Sequence, residues 1–222
     1  MADARTFLIT GGSSGIGAET ARRAAREGYN VVLAARSSDR LDALVEEIGA
    51  ESALAVTCDV TDEAAQRSMV DAALERFGSI DVVLANAGRG IADNDPADWR
   101  GLIETNVFGA ILTAKLTVDA LKASGGHLLI LGSAAGRRAI PGSVYGATKW
   151  AMTGFGYNMR EELKGSGVRV TLIEPGVVDT PFFDDPKPHG LKAEDVAGAI
   201  LYAAGQPARV NVNEIWLTPS DG

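Results

Sequence analysis

Tyr145 and Lys149 stand four positions apart in the stretch "GSVYGATKWAMTGF", residues 142 to 155, which has the apolar pattern of a helix. Four residues make about one helical turn, so the phenol and the ammonium lie on one face. A free tyrosine has a pKa of ~10 and a neighbouring cation favours the phenolate, so the pair could exchange a proton near neutrality. Taken alone, the pair better fits a plainer interpretation, a satisfied hydroxyl beside a lysine that reaches water. The rest of the chain must decide.

The composition sets broad limits on the protein class. The chain has 222 residues, of which 46% are hydrophobic and 23% charged, as in one globular domain. A formal net charge of −8 disfavours partners such as nucleic acid or an anionic membrane. The single cysteine, Cys58, excludes an internal disulfide, and His127 and His189 are too few for a metal site. The opening stretch "MADARTFLITGG" lacks a signal-peptide core, and no apolar run reaches ~20 residues, so we expect a cytoplasmic protein.

Short β-branched runs alternate with longer amphipathic runs along the whole chain. The predicted strands are 6–10, 30–35, 53–60, 80–88, 126–133, 168–176 and 213–218. The predicted helices are 15–28, 38–49, 62–77, 97–123, 143–164 and 193–204. This alternation predicts a single doubly wound α/β domain of the Rossmann type, residues 1–222, with helices on both faces of a seven-stranded parallel sheet in the order 3-2-1-4-5-6-7. Such sheets bind ligands beyond the carboxyl ends of their strands.

The segment after the first strand is rich in glycine. "TGGSSGIG", residues 10 to 17, places glycines at 11, 15 and 17, directly before a helix. Glycines there permit a tight turn and close approach of the backbone to a ligand, and the helix N-terminus favours a pyrophosphate. The stretch therefore predicts a dinucleotide site, although its spacing differs from the commoner G-x-G-x-x-G.

The second strand ends in "AAR", residues 34 to 36. A site that prefers NAD(H) would place an acidic residue here to hold the ribose 2′-hydroxyl. Arg36 instead suits a 2′-phosphate, so we favour NADP(H) over NAD(H), with a solvated surface arginine as the alternative.

Polar or small residues follow three further strands. Asp59 and Val60 end the third strand, where they would edge the adenine, and "NAG", residues 86 to 88, ends the fourth, although both segments also suit plain turns. Ser133 follows the fifth strand at the mouth of the cleft, twelve residues before Tyr145. Asn106 lies inside the helical stretch 102–116, where asparagine is mildly unfavourable, so a bend or a function is expected.

Taken together, these residues resemble the short-chain dehydrogenase/reductase family. "TGGSSGIG" matches the family's cofactor motif, "NAG" its fourth-strand motif, and Asn106, Ser133 and the Tyr-x-x-x-Lys of 145–149 its active-site residues. "PGVVDTP", residues 175 to 181, is similar to its segment that contacts the nicotinamide. The motifs occur in the family's order, which is far more specific than any one of them alone.

The resemblance implies a hydride transfer between nicotinamide and a small-molecule carbonyl compound or secondary alcohol. Tyr145 would be the general acid or base, and Lys149 would favour its phenolate and hold the nicotinamide ribose. Ser133 would bond the substrate oxygen, and Asn106 would keep a water relay to Lys149. The family also implies a homodimer or homotetramer formed through the helices that hold Asn106 and Tyr145.

The resemblance also implies two sets of binding residues. The cofactor set is Gly11, Ser13, Ser14, Gly15, Ile16, Gly17, Arg36, Asp59, Val60, Asn86, Ala87, Gly88, Tyr145, Lys149, Pro175, Gly176, Val178 and Thr180. The substrate set is Ser133, Ala134, Arg138, Ile140 and Phe182.

The chain departs from the family in the segment that covers the substrate, here residues 177–191. Only "FFDDPKPHG", residues 182 to 190, separates Pro181 from the next helix, and its prolines and glycine disfavour helix. We therefore expect an open or poorly ordered entrance to the site.

Three alternatives to this enzyme remain at this point. One is a sensor or scaffold protein that binds NADP(H) without turnover, against which the complete set of Ser133, Tyr145 and Lys149 speaks. A nucleoside-methyl-donor transferase would need an acidic residue where Arg36 stands. A sugar-nucleotide epimerase would need a longer C-terminal part.

Overall fold

A computed structural model describes residues 4 to 220. Their central element is a seven-stranded parallel sheet. Its strands are β1 (Thr6–Thr10), β2 (Asn30–Ala35), β3 (Ala53–Thr57), β4 (Val82–Ala85), β5 (His127–Leu131), β6 (Arg169–Pro175) and β9 (Glu214–Leu217). The order across the sheet is β3-β2-β1-β4-β5-β6-β9, with every pair parallel. The predicted fold class and strand order are therefore confirmed, with the last strand now counted as the ninth.

Two very short strands account for that change in numbering. β7 (Val178–Asp179) and β8 (Leu191–Lys192) pair in parallel at the two ends of the segment 177–191. Two residues are too few to produce a periodic pattern, so the sequence does not indicate them. Between them the chain forms turns and no helix, as its prolines predict.

The helices cover both faces of the sheet. They are α1 (Gly15–Arg26), α2 (Ser38–Ile48), α3 (Glu63–Phe77), α4 (Pro96–Ile103), α5 (Ala110–Ser124), α6 (Val144–Glu162) and α7 (Ala193–Ala204). One apolar core lies between the sheet and α1, α2 and α7, and a second lies between the sheet and α3, α5 and α6. Strands covered on both faces are expected to be continuously apolar, and β1 is buried along its whole length.

The predicted single helix 97–123 is wrong in one respect, because it is interrupted. A π-helical segment, Glu104–Gly109, separates α4 from α5. It contains Asn106, whose side chain bonds the backbone of Arg89 in a neighbouring loop. At the end of the π-helical segment, a Cβ on Gly109 would lie 2.7 Å from Val60 Cγ2. The start of α5 therefore packs closely on the loop after β3. A wider helical turn that serves such local contacts is typical of functional sites.

Candidate active site

The turn between β1 and α1 is shaped by glycine. Gly11 and Gly15 have positive φ angles of 67° and 53°, which L side chains rarely adopt. A Cβ on Gly11 would lie 2.8 Å from Asn86 Nδ2, and that amide donates to the Thr10 carbonyl at 2.8 Å. The N-cap residue of α1, Ser14, makes no side-chain cap bond, so the first N–H groups of the helix stay available to a ligand. This cradle fits a pyrophosphate.

A cavity of about 520 Å³ opens at the carboxyl ends of the strands. Its size lies within the range of small-molecule and cofactor sites. It brings together most of the residues predicted for the site: Gly11, Ser13, Ser14, Gly15, Ile16, Arg36, Asp59, Val60, Asn86, Ala87, Gly88, Ser133, Tyr145, Lys149, Pro175, Gly176, Val178, Thr180 and Phe182.

Five predicted residues do not line this cavity. Gly17 lies behind the turn, where a Cβ would come within 2.4 Å of the Gly11 carbonyl oxygen, so its role is close packing. Asn106 is buried below the floor of the cavity. Ala134 is buried in a short 3₁₀ turn, and Arg138 and Ile140 are exposed outside the cavity, so none of these three is brought to the place expected for a substrate.

Other lining residues were not predicted from the sequence. They are Ala35, Ser37, Arg40, Cys58, Arg89, Gly90, Thr105, Leu131, Gly132, Pro181 and Phe183. Most are chain neighbours of predicted residues. Arg40 had a usable signal, since it follows Arg36 by four positions at the start of a predicted helix. Arg89 had a weaker one, its position directly after "NAG".

Tyr145 and Lys149 both lie on α6, whose N-cap Ser143 accepts a hydrogen bond from Gly146 N–H at 2.9 Å. The Lys149 ammonium lies 5.7 Å from the centroid of the Tyr145 ring and donates to the Leu131 carbonyl at 3.2 Å. Ser133 follows β5, and its hydroxyl accepts from Ala135 N–H at 3.1 Å. The helix and the strand end therefore bring the phenol, the ammonium and the serine hydroxyl to one place.

Burial controls the titration of both groups. It raises the pKa of the Tyr145 phenol above its ordinary value, and a hydrogen bond with Ser133 offsets part of this rise. Burial also lowers the pKa of Lys149 to about 8. We expected Lys149 to hold the pKa of Tyr145 down, but desolvation raises that pKa instead. A lysine with this pKa changes its charge just above neutral pH, which suits a group that works beside a proton donor.

Asn106 is fully engaged by the protein. Its Oδ1 accepts from Arg89 N–H at 2.8 Å, and its Nδ2 donates to the Arg89 carbonyl at 2.9 Å and to Thr148 Oγ1 at 3.3 Å. The side chain thus joins the loop after β4 to the face of α6 next to Lys149. This arrangement positions the cavity floor.

The far end of the cavity, beyond β2 and β3, carries two arginines. Arg36 follows β2, and Arg40 on α2 donates from Nε to Ser37 Oγ at 3.0 Å. The Asp59 carboxylate accepts hydrogen bonds from the N–H and the hydroxyl of Thr61, at 2.9 and 2.8 Å. These bonds, together with the charge of Arg36, hold the pKa of Asp59 below its usual range. The end of β2 therefore presents cations and a hydroxyl, which are donors for a phosphate.

A charged cluster is built around the buried Glu174, whose side chain packs against Gly132, the residue before Ser133. Arg137 donates from Nε to Glu174 Oε2 at 2.6 Å, and its other nitrogens bond Glu214 and the Tyr157 hydroxyl. Glu174 has no exposed surface and also accepts from Thr153 on α6 at 2.8 Å. Glu174 precedes Pro175 and Gly176, so the cluster ties together the segments after β5 and β6. The sequence of Arg137 and Arg138 indicates a solvated loop pair, with contact to an anionic substrate as the alternative, and it does not reveal this ion pair.

Comparisons with known proteins agree with this geometry. The sequence profile of the family described as short chain dehydrogenase matches residues 5–189. Sulfoacetaldehyde reductase 2 of Chromohalobacter salexigens is 38% identical, over 96% of this chain and 93% of its own. The alcohol dehydrogenase of the archaeon Thermococcus sibiricus, solved with 5-hydroxy-NADP, superposes with a TM-score of 0.92 at 34% identity, covering 99% of this chain and 98% of its own. The 3-ketoacyl-(acyl-carrier-protein) reductase of Brucella melitensis, solved with NADH, gives a TM-score of 0.89 at 27% identity, over 99% of both chains.

Within residues 4–220, no helix combines the length and the apolar character needed to cross a bilayer.

Proposed function

The chain belongs to the short-chain dehydrogenase/reductase family and is an oxidoreductase acting on CH–OH or C=O groups, and we propose that it uses NADP(H) and that Tyr145 is its general acid or base. The observation that carries the proposal is the meeting of Tyr145, Ser133 and Lys149 in one cavity with the glycine turn. When bound, the nicotinamide supplies or accepts the hydride.

The phenol of Tyr145 gives a proton to the substrate oxygen during reduction and takes it back during oxidation. A phenol is protonated at neutral pH already at its ordinary pKa of ~10, so Tyr145 holds the proton that reduction requires. The Ser133 hydroxyl bonds the same substrate oxygen and holds it beside the phenol. The Lys149 ammonium, near the phenol ring, stabilises the phenolate that remains after proton transfer. Asn106 acts as a positioning residue through Arg89 and Thr148.

The preference for NADP(H) is supported by the two arginines beyond β2. Arg36 and Arg40 line the cavity there, and β2 ends in Ala35 where an NAD(H) site would carry an acidic residue. Two guanidinium groups and the Ser37 hydroxyl form a donor set that suits a 2′-phosphate. The solved relatives hold cofactors of both kinds, so the arginines are the basis of this preference.

A homo-oligomer is supported by exposed apolar side chains on two neighbouring elements. Phe108 on the π-helical segment is 49% exposed, and Trp150 on α6 is 50% exposed. Exposed apolar side chains grouped in this way mark contact surfaces. We place the subunit contact on these elements, in a cytoplasmic enzyme of one domain whose segment 177–191 covers the substrate.

A paired NADH and NADPH assay over a panel of ketones, aldehydes and secondary alcohols tests the proposal. We expect turnover with NADPH, and we expect Arg36→Asp to lower kcat/KM for NADPH by roughly tenfold or more while NADH is little affected. Arg67→Asp is the matched control, because Arg67 is an exposed arginine on α3 that lies outside the cavity and forms an ion pair with Glu63. An unchanged cofactor preference in Arg36→Asp would remove Arg36 from the proposal. Tight binding of NADPH without turnover of any compound would instead indicate a sensor protein.

A further inference from the structure

Each cation that lines the cavity is either hydrogen-bonded within the protein or far from Tyr145, where the substrate oxygen would bind. Four cationic side chains line it within residues 4–220, namely Arg36, Arg40, Arg89 and Lys149. Arg36 and Arg40 lie beyond β2, and β1 and β4 separate that strand from β5, which is about 14 Å at the usual strand spacing. Lys149 is buried and bonded to the Leu131 carbonyl. The remaining cation, Arg89, directly precedes Gly90, which packs against Phe182.

Arg89 is neutralised by Asp98. Its Nη1 donates to Asp98 Oδ1 at 2.5 Å, and its Nη2 donates to the Asp98 carbonyl at 2.7 Å. The Asp98 side chain is only 8% exposed, whereas that of Arg89 is 29% exposed, and a Cβ on Gly101 would come within 2.9 Å of Arg89 Nη2. A substrate anion would have to compete with this carboxylate for Arg89.

The segment that covers the substrate side is itself acidic. Residues 177–191 include Asp184 and Asp185 against one lysine, Lys187, while the third carboxylate, Asp179, is paired with Lys192 at 2.7 Å. Lys187 lies 5.1 Å from the centroid of the Phe183 ring, and Asp184 and Asp185 are exposed. The local charge therefore repels an approaching anion.

Aromatic rings form the wall beside the phenol. The Phe182 ring centroid lies 5.7 Å from that of Tyr145 and 5.1 Å from that of Phe183. Phe182 is 40% exposed, so it retains surface for a ligand. Gly90 packs directly against the edge of this ring, because a Cβ there would lie 3.4 Å from Phe182 Cζ. We call Tyr145, Phe182 and Phe183 the aromatic wall.

From these contacts we infer that the substrate is a carbonyl compound, or its alcohol, whose main substituent is a neutral aromatic or alicyclic group that packs on the aromatic wall, and that carboxylate- or sulfonate-bearing carbonyl compounds are rejected. This inference rests on the proposed function. It names Phe182 as the residue that selects the apolar substituent and the Arg89–Asp98 pair as the element that rejects anions.

Three aldehydes, with NADPH as the reductant, test the preference for an apolar ring and the rejection of anions. 4-Carboxybenzaldehyde differs from benzaldehyde by one carboxylate group, and acetaldehyde lacks the ring. We expect kcat/KM for benzaldehyde to exceed that for 4-carboxybenzaldehyde by roughly tenfold or more, because the carboxylate meets no free cation. Phe182→Ala should lower the ratio of benzaldehyde to acetaldehyde roughly three- to tenfold, as expected when one aromatic contact is lost. Tyr202→Ala, an aromatic side chain 61% exposed on α7 and outside the cavity, should leave the ratio unchanged.

Asp98→Asn tests the rejection of anions from the opposite direction. It removes the charge that neutralises Arg89 but keeps an acceptor oxygen. We expect kcat/KM for 4-carboxybenzaldehyde to rise about fivefold relative to benzaldehyde, because Arg89 can then pair with the carboxylate. Thermal unfolding of each variant, followed by circular dichroism, checks that it is folded. Because each readout is a ratio of two substrates on the same protein, partial loss of active protein does not change it.

The outcomes separate the inference from the function. If the wild-type protein reduces 4-carboxybenzaldehyde as well as benzaldehyde, or if Phe182→Ala leaves the benzaldehyde to acetaldehyde ratio unchanged, the inference is overturned and the proposed function stands. If no carbonyl compound or alcohol of the wider panel is turned over with either coenzyme, the proposed function fails and this inference falls with it.

Discussion

Replacing Arg137 with alanine should destabilise the protein much more than removing a surface cation. Glu174 has no exposed surface, so without Arg137 its carboxylate would keep only the Thr153 hydroxyl as a donor. Breaking a buried pair from one side typically costs about 3 to 5 kcal/mol. Loss of the ion pair between Arg137 and Glu214 adds under about 1 kcal/mol to this cost, because the Glu214 side chain is 34% exposed and is screened by solvent. We therefore expect the free energy of unfolding to fall by about 3 to 5 kcal/mol.

Urea unfolding followed by circular dichroism measures this loss. Lys115→Ala is the matched control, since Lys115 and Glu162 form an ion pair at 2.6 Å with side chains 44% and 49% exposed. Its loss should cost under about 1 kcal/mol. The double variant Arg137→Met with Glu174→Leu should recover much of the stability, because both charges of this buried pair are then removed. If Arg137→Ala proves no more costly than Lys115→Ala, the buried cluster does not have the role we give it.

Two further perturbations follow from buried groups near the sheet. His127 is fully buried with Nε2 2.7 Å from Thr171 Oγ1, and burial lowers its pKa to about 3 from an ordinary 6.5, so the unfolded chain takes up its proton first as the pH falls. The stability that neutral His127 contributes is complete above about pH 6.5 and is lost as the pH falls toward 3. Between pH 6.5 and 4.5 the free energy of unfolding of the wild type should therefore fall by about 2 kcal/mol more than that of His127→Gln. Urea unfolding at each pH measures this difference, and equal losses in the two proteins would contradict the prediction. Gly17→Ala would place a Cβ 2.4 Å from the Gly11 carbonyl oxygen, so NADPH affinity by fluorescence titration should fall at least roughly tenfold, whereas Gly154→Ala on α6, with nothing within 4 Å, should bind normally. Equal affinity in the two glycine variants would show that the turn tolerates the displacement.

Many residues that line the cavity could be predicted because their signals in the sequence are local. Parallel strands bring their carboxyl ends to one edge, so a residue directly after a buried strand needs only the strand to be recognised. Gly11, Arg36 and Ser133 were found in this way, and all three line the cavity. The fold class followed from the same alternation of strands and helices.

The rest depends on contacts between distant parts of the chain. Arg137 and Glu174 are 37 positions apart, and their pairing has no periodic signal. The pairing of Arg89 with Asp98 likewise depends on how the loop after β4 folds back onto α4. The pKa values of Tyr145 and Lys149 are set by how deeply α6 packs, which residue spacing does not reveal. The exposed positions of Arg138 and Ile140 follow from the course of the loop after the 3₁₀ turn, which has no periodic pattern.

The most direct test of the central claim is the turnover of Tyr145→Phe with NADPH and whichever carbonyl compound the wild-type protein reduces best. The substitution keeps the ring beside Phe182 and Lys149 and removes only the hydroxyl. We predict that kcat falls by roughly 10²- to 10⁴-fold, while the Kd for NADPH, measured by fluorescence titration, stays within about threefold of the wild type. Near-full turnover by this variant would contradict the role of Tyr145 as the proton donor.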